Sequence, residues 1–217
     1  LIAAVTTLFI SSHAYRNNME LLSGNRYPAQ IVNSVFIKAN IGKYLPGNVF
    51  HFAGRNMLGQ RFNIDQRVLL GSTILLHIQT ISVALILPLI LDISIYKGVI
   101  TLLRDLLGQQ YFLVMGGVII AAIVVVLIFH KYIIEQFNKY KESIKGIQFK
   151  KVLPNLMVMA VYLILYGISF YIIAYSISDI GWNFSKSITV ILSFILAWLC
   201  GLVVIGAPGG LGIREVV

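Results

Sequence analysis

Two short strings of this chain carry residue types and spacings that could bind an anion. The first is Lys43-Tyr44-Leu45-Pro46-Gly47-Asn48, with His51 and Arg55 beyond it. A proline followed by glycine ends one helix and permits a tight turn before the next. Asn48 is a good residue to cap that next helix. From Asn48, His51 and Arg55 fall at i+3 and i+7, which places the three on one helical face. A helix N-terminus with an arginine one to two turns in can hold a phosphate or carboxylate. The second string is Ala207-Pro208-Gly209-Gly210-Leu211-Gly212-Ile213-Arg214-Glu215. Gly209, Gly210 and Gly212 suit a turn whose backbone N–H groups point at a ligand. Arg214 can grip a phosphate through two N–H groups, and Glu215 can balance charge by pairing with an arginine or a cationic head group. The competing reading of the first string is an interfacial helix with a solvated polar face. That of the second is a surface turn with an Arg–Glu pair for solubility.

The elements that hold these strings are apolar. Of 217 residues 58% are hydrophobic and only 12% charged, about half the usual charged share, and the mean hydropathy is +0.86. Such a chain needs lipid as its solvent. Four runs are long enough to cross a bilayer, at about 69–91, 112–129, 152–176 and 188–206, and residues 1–12 read as the end of a fifth. Asn63 with Gln66 resembles a capping pair before the first full run. Ser185 is placed to cap the last, and Pro154 to lie in the first turn of its helix, where proline is tolerated. Pro88 falls near a helix end. Tyr96, Tyr111, Tyr132, Tyr175 and Trp182 lie near run ends, as interfacial aromatics do.

The net charge of +9 comes from 17 Lys+Arg against 8 Asp+Glu. Residues 13–68 carry seven of these cations and 130–151 carry six, whereas 92–111 carries two and 177–187 one. This alternation predicts a multi-pass membrane protein with 13–68 and 130–151 cytoplasmic, and the plasma (inner) membrane is the expected location. It explains the charge better than nucleic acid does, and no nucleic-acid module is visible. Between Ala29 and Val68 the chain is too polar to span simply and too apolar for a plain loop. Val49, Phe52, Ala53 and Met57 recur at helical spacing. The segment therefore reads as two short helices at, or dipping into, the interface.

Chemistry beyond anion binding finds little support. Cys200 stands alone, without a disulfide partner or metal-ligand spacing. No Ser-His-Asp order, Walker loop or HExxH occurs. His77, Gln79 and Thr80 lie inside an apolar run, where polar side chains face other helices and bond across them. Asp92, Asp105 and Asp179 fall between runs. They would serve a membrane enzyme on a lipid-linked sugar only if they converged on one cavity. The two proline-glycine strings echo each other across four runs, which suggests a duplicated transporter architecture with its site at interrupted helices.

Around Gly42-Lys43-Tyr44-Leu45-Pro46-Gly47 with Arg55, and Pro208-Gly209-Gly210-Leu211-Gly212-Ile213-Arg214-Glu215, the chain resembles the transmembrane region of lysylphosphatidylglycerol synthases, the multiple peptide resistance factors, and their stand-alone flippase-like relatives. The resemblance covers roughly residues 35–217. Asn48 stands where a second glycine is expected in many relatives. It implies a lipid flippase-like transporter acting on a phospholipid or lipid-linked intermediate. Synthase activity is not implied, because the soluble aminoacyl-transfer domain is missing. The expectation is an all-α polytopic transmembrane bundle with an interrupted or re-entrant helix pair. It forms a single domain over 1–217, read as a fragment cut at both ends, and a homo-oligomer is compatible with it. No catalytic residue, metal or cofactor is expected. The lipid-binding residues are Pro46, Gly47, Asn48, His51, Arg55, Pro208, Gly209, Gly210, Gly212, Arg214 and Glu215, with Arg55 and Arg214 meeting near the cytoplasmic face.

Overall fold

The computed structural model describes residues 2–44, 50–108, 149–177 and 183–203, and among them every regular element is helical. Chain order gives α1 (Ile2–Ser23), α2 (Ala29–Asn40), a 3-10 turn (Ile41–Tyr44), α3 (Phe50–Gln60), α4 (Gln66–Leu91), α5 (Ser94–Leu107), α6 (Phe149–Ile177) and α7 (Phe184–Val203).

α4 and α6 are long and apolar enough to cross a membrane. Their 26 and 29 residues correspond to about 39 and 43 Å at 1.5 Å per residue. A soluble core helix of such composition would be mostly buried. Here only 33% of the most apolar stretch of α4 and 17% of that of α6 is covered. Ile74, Ile78, Ile86 and Ile90 of α4, and Met157, Ile172 and Ile173 of α6, point outward. The inner face of α4 instead carries Ser72, Thr73, Gln79 and Thr80 beside Leu69, Leu76, Val83 and Ala84. Ser72, Thr73 and Thr80 donate to the carbonyls four residues back, so their hydroxyls are satisfied within the helix. α7 is apolar from Phe184 through Leu199. The run at 112–129 lies outside the described residues.

The first segment differs from expectation. α1 does not end near residue 12 but continues unbroken to Ser23. It stops at Gly24, whose φ of 72° is the left-handed conformation that closes a helix. Its second half holds Arg16, Asn17, Asn18 and Glu20, too polar to cross a bilayer alone. It packs instead along α4 and α6 and reaches α2. Residues 13–23 therefore belong to α1, and the two short helices expected between Ala29 and Val68 are α2 and α3. α2 buries Val32, Val35, Phe36 and Ala39, the i, i+3, i+4, i+7 stripe of an amphipathic helix.

Two capping assignments also change. Asp65, not Asn63, caps α4 by accepting from the Arg67 N–H at 2.7 Å. Asn63 takes a positive φ of 55° in the preceding turn, a conformation asparagine tolerates. At α7 the side chain of Asn183 accepts from the Ser185 and Lys186 N–H groups, and Ser185 is already helical. Pro154 is the sixth residue of α6 rather than a first-turn residue.

Candidate functional site

Inside the junction of α1, α4 and α6 lies a cluster of four side-chain amides. Asn18 and Gln79 exchange hydrogen bonds of 2.9 and 3.2 Å. The Asn155 amide nitrogen donates to Asn18 at 2.9 Å, Gln79 at 3.0 Å and the Ala14 carbonyl at 3.1 Å. Asn17 donates to the Asn155 oxygen at 3.2 Å. Asn18, Gln79 and Asn155 are each 2% exposed or less. The oxygens of Asn18, Gln79 and Asn155 all accept, which is the condition for a buried polar network to stabilise rather than weaken a core. Gln79 thus bonds across helices as its place in an apolar run predicts. Asn17, Asn18 and Asn155 were not singled out by sequence reasoning. Asn155, a lone amide between Pro154 and an apolar run, was the available signal.

α3 shows the opposite condition. Its buried face is His51, Arg55 and Gly59, at four-residue spacing. Met57 and Phe50 are turned outward, 66% and 49% exposed. The polar face of this helix points into the protein and part of its apolar stripe points away, the reverse of an interfacial helix with a solvated polar face. Close packing enforces that orientation. A Cβ on Gly59 would stand 2.5 Å from a methyl of Leu69, itself fully buried. A Cβ on Gly42, in the 3-10 turn, would stand 3.0 Å from the backbone nitrogen of His51. Glycine at these two places lets α3 seat against α4 and against the turn.

Arg55 is 3% exposed. Its guanidinium carbon lies 4.2 Å from the Phe36 ring centroid and 5.4 Å from that of Tyr15, within reach of cation–π attraction. Its Nε and Nη1 have no hydrogen-bond acceptor among the described residues, and it makes no ion pair there. Burial pushes its pKa down to about 10, so it remains charged at neutral pH.

His51, one turn earlier, is 4% exposed, and its Nδ1 is likewise unpartnered. The His51 and His77 rings are 5.9 Å apart, with the Phe52 ring 3.9 Å from the first and 4.8 Å from the second. His77 lies 2.7 Å through Nδ1 from the Thr73 carbonyl. A carbonyl only accepts, so Nδ1 of His77 carries a proton. Burial first, then Arg55, the neighbouring His77 and Lys43, holds the His51 imidazole well below the ordinary histidine range. On the same helix the Asn56 side-chain oxygen is buried without a donor among the described residues. The site therefore gathers cations and neutral rings with no described carboxylate to offset them, an arrangement suited to receiving an anion. In this conformation the guanidinium is closed off from solvent.

Of the expected site residues the structure brings His51 and Arg55 together. Pro46, Gly47, Asn48, Pro208, Gly209, Gly210, Gly212, Arg214 and Glu215 lie outside the described residues. Asp92 bonds Ser94 and the Thr189 hydroxyl of α7, and Asp105 is exposed on α5. Asp179 falls outside the described residues. No group of three or more metal-ligating side chains is found among those described. Comparison with models of protein families, with curated proteins and with solved structures finds no match to this chain.

Proposed function

We propose that the chain is a multi-pass membrane protein that moves a phospholipid or lipid-linked intermediate between leaflets, with Arg55 and His51 as part of the receptor for its phosphate. One observation carries this reading: a charged, buried guanidinium whose Nε and Nη1 have no acceptor among the described residues, inside a bundle whose longest helices turn apolar faces outward. A buried charge without a partner is strongly unfavourable. Such a group is retained where a ligand supplies the partner. The outward Ile-rich faces of α4 and α6 supply the membrane setting. The resemblance of the two proline-glycine strings to the membrane region of lysylphosphatidylglycerol synthases agrees with this function. In the same reading Arg214 joins Arg55 on the phosphate, Glu215 balances charge, and 130–151 with the part of 13–68 that follows α1 lies on the cytoplasmic side.

The test is translocation of fluorescently labelled phosphatidylglycerol in vesicles reconstituted with the protein, read as label reached by an external quencher. The wild-type chain should expose label from the inner leaflet. Arg55→Gln and Arg214→Ala should each lower that rate at least tenfold while keeping the helical circular dichroism. Unchanged transport in both variants would refute the assignment.

A further inference from the structure

His51 and Arg55 are i and i+4 on one helix, so their side chains are neighbours, with Cβ atoms about 6 Å apart. Both point into the interior, and both present nitrogen atoms without partners. The groups that face them from each packed element are known: Tyr15 of α1, Phe36 of α2, Lys43 of the 3-10 turn, His77 of α4 and Tyr162 of α6. None is a carboxylate. An anion arriving here would be the first negative charge that His51 meets among the described groups.

We infer that this site binds a phosphodiester together with a proton, the anion resting on Arg55 and the proton taken up by His51. The inference rests on the proposed role of Arg55 as an anion receptor. The step is a protonation without any bond broken. A proton from water adds to the imidazole lone pair, and the imidazolium then offers N–H donors at both nitrogens. With one phosphodiester charge bound, the pocket holds the charge it held when empty: Arg55 gains a counter-anion and His51 gains one positive charge. The proton is therefore taken up beside a negative charge rather than beside cations alone, which raises the affinity of the imidazole for it.

The direction with pH follows. Without anion, burial and the cationic neighbours keep His51 neutral. The bound anion opposes both effects and raises the imidazole towards its ordinary value of about 6.5. Between the two values binding takes up a proton, and affinity strengthens as pH falls. Above about pH 7 neither form is protonated and affinity is flat.

The experiment uses the purified full chain in detergent and two probes whose own charge is constant from pH 5 to 8, dimethyl phosphate and short-chain phosphatidylglycerol. Calorimetric titration in buffers of different ionisation enthalpy counts protons on the wild-type chain and needs no variant. The expected result is uptake approaching one proton per anion near pH 6, with Kd falling by up to about tenfold per pH unit between 7 and 5. Uptake with both probes shows that the free phosphodiester suffices, and uptake with the lipid alone shows that the chains are needed. Either supports the inference. His51→Gln should bind with a flat pH profile, and Arg55→Gln should not bind. Wild-type binding lost in Arg55→Gln but accompanied by no proton uptake would overturn the coupling and leave the Arg55 receptor standing. Failure of the wild-type chain to bind either probe would overturn both.

Discussion

Replacing Arg55 by methionine should stabilise the isolated protein while removing anion binding. The guanidinium is 3% exposed, with two nitrogens lacking acceptors among the described residues. Its compensation is the Phe36 ring at 4.2 Å and, more weakly, Tyr15 at 5.4 Å. Cation–π attraction offsets roughly 0.5–2 kcal/mol, whereas desolvating a charge costs several kcal/mol even after relaxation. Methionine keeps similar length, fits irregular space and adds sulfur–aromatic contacts to the same rings. Exchanging a buried ion pair for apolar side chains of like volume is neutral or gains about 1–4 kcal/mol, and the same range is expected for this guanidinium. At about 2–4 °C per kcal/mol for a chain of this size, the melting temperature in detergent should rise by roughly 2–16 °C. Thermal unfolding followed by circular dichroism, on lipid-depleted protein, measures it. A lower melting temperature would show that Arg55 is a structural residue with its needs already met, and would remove the reason for an anion there.

Three further outcomes follow from the packing. Gln79→Leu leaves the Asn18 amide nitrogen without its acceptor in the α1–α4–α6 junction and removes one of the acceptors of Asn155, and should cost about 1–3 kcal/mol. A double-mutant cycle with Asn155→Leu should show a coupling of about 0.6–1.7 kcal/mol, and additive losses would mean the amides act independently. Gly59→Ala drives a Cβ to 2.5 Å from the buried Leu69 and should cost about 1–3 kcal/mol, read as a lower unfolding midpoint. Gly42→Ala, whose Cβ meets the His51 backbone at 3.0 Å, should unseat α3 and speed hydrogen exchange along residues 50–60, with exchange in α4 unchanged.

The long apolar helices were legible because burial and lipid exposure alike demand apolar residues over a fixed length. The expected runs at 69–91 and 152–176 became α4 and α6 with boundaries shifted by three residues or fewer at each end. The first helix was misread because hydropathy measures average polarity. Asn17, Asn18 and Asn155 satisfy one another across helices, so α1 continues through residues that look like a loop. The seven cations of 13–68 count alike towards topology. Among them Arg16 pairs with Glu20 at 3.5 Å, whereas Arg55 is buried. The spacing of His51 and Arg55 did predict a shared face. Its inward direction depended on the close approaches at Gly42 and Gly59 and on the aromatic wall of Phe36 and Tyr15. These are tertiary contacts between residues distant in sequence, which helical periodicity does not encode.

Native mass spectrometry of the chain released from gently extracted membranes tests the receptor role of Arg55 most directly. One anionic phospholipid per chain should remain bound to the wild type and be lost from Arg55→Met, with the neutral lipids around the apolar faces retained equally by both. Equal retention of the anionic lipid by the two proteins, or its absence from the wild type, would contradict the assignment of this buried guanidinium as a phosphate receptor.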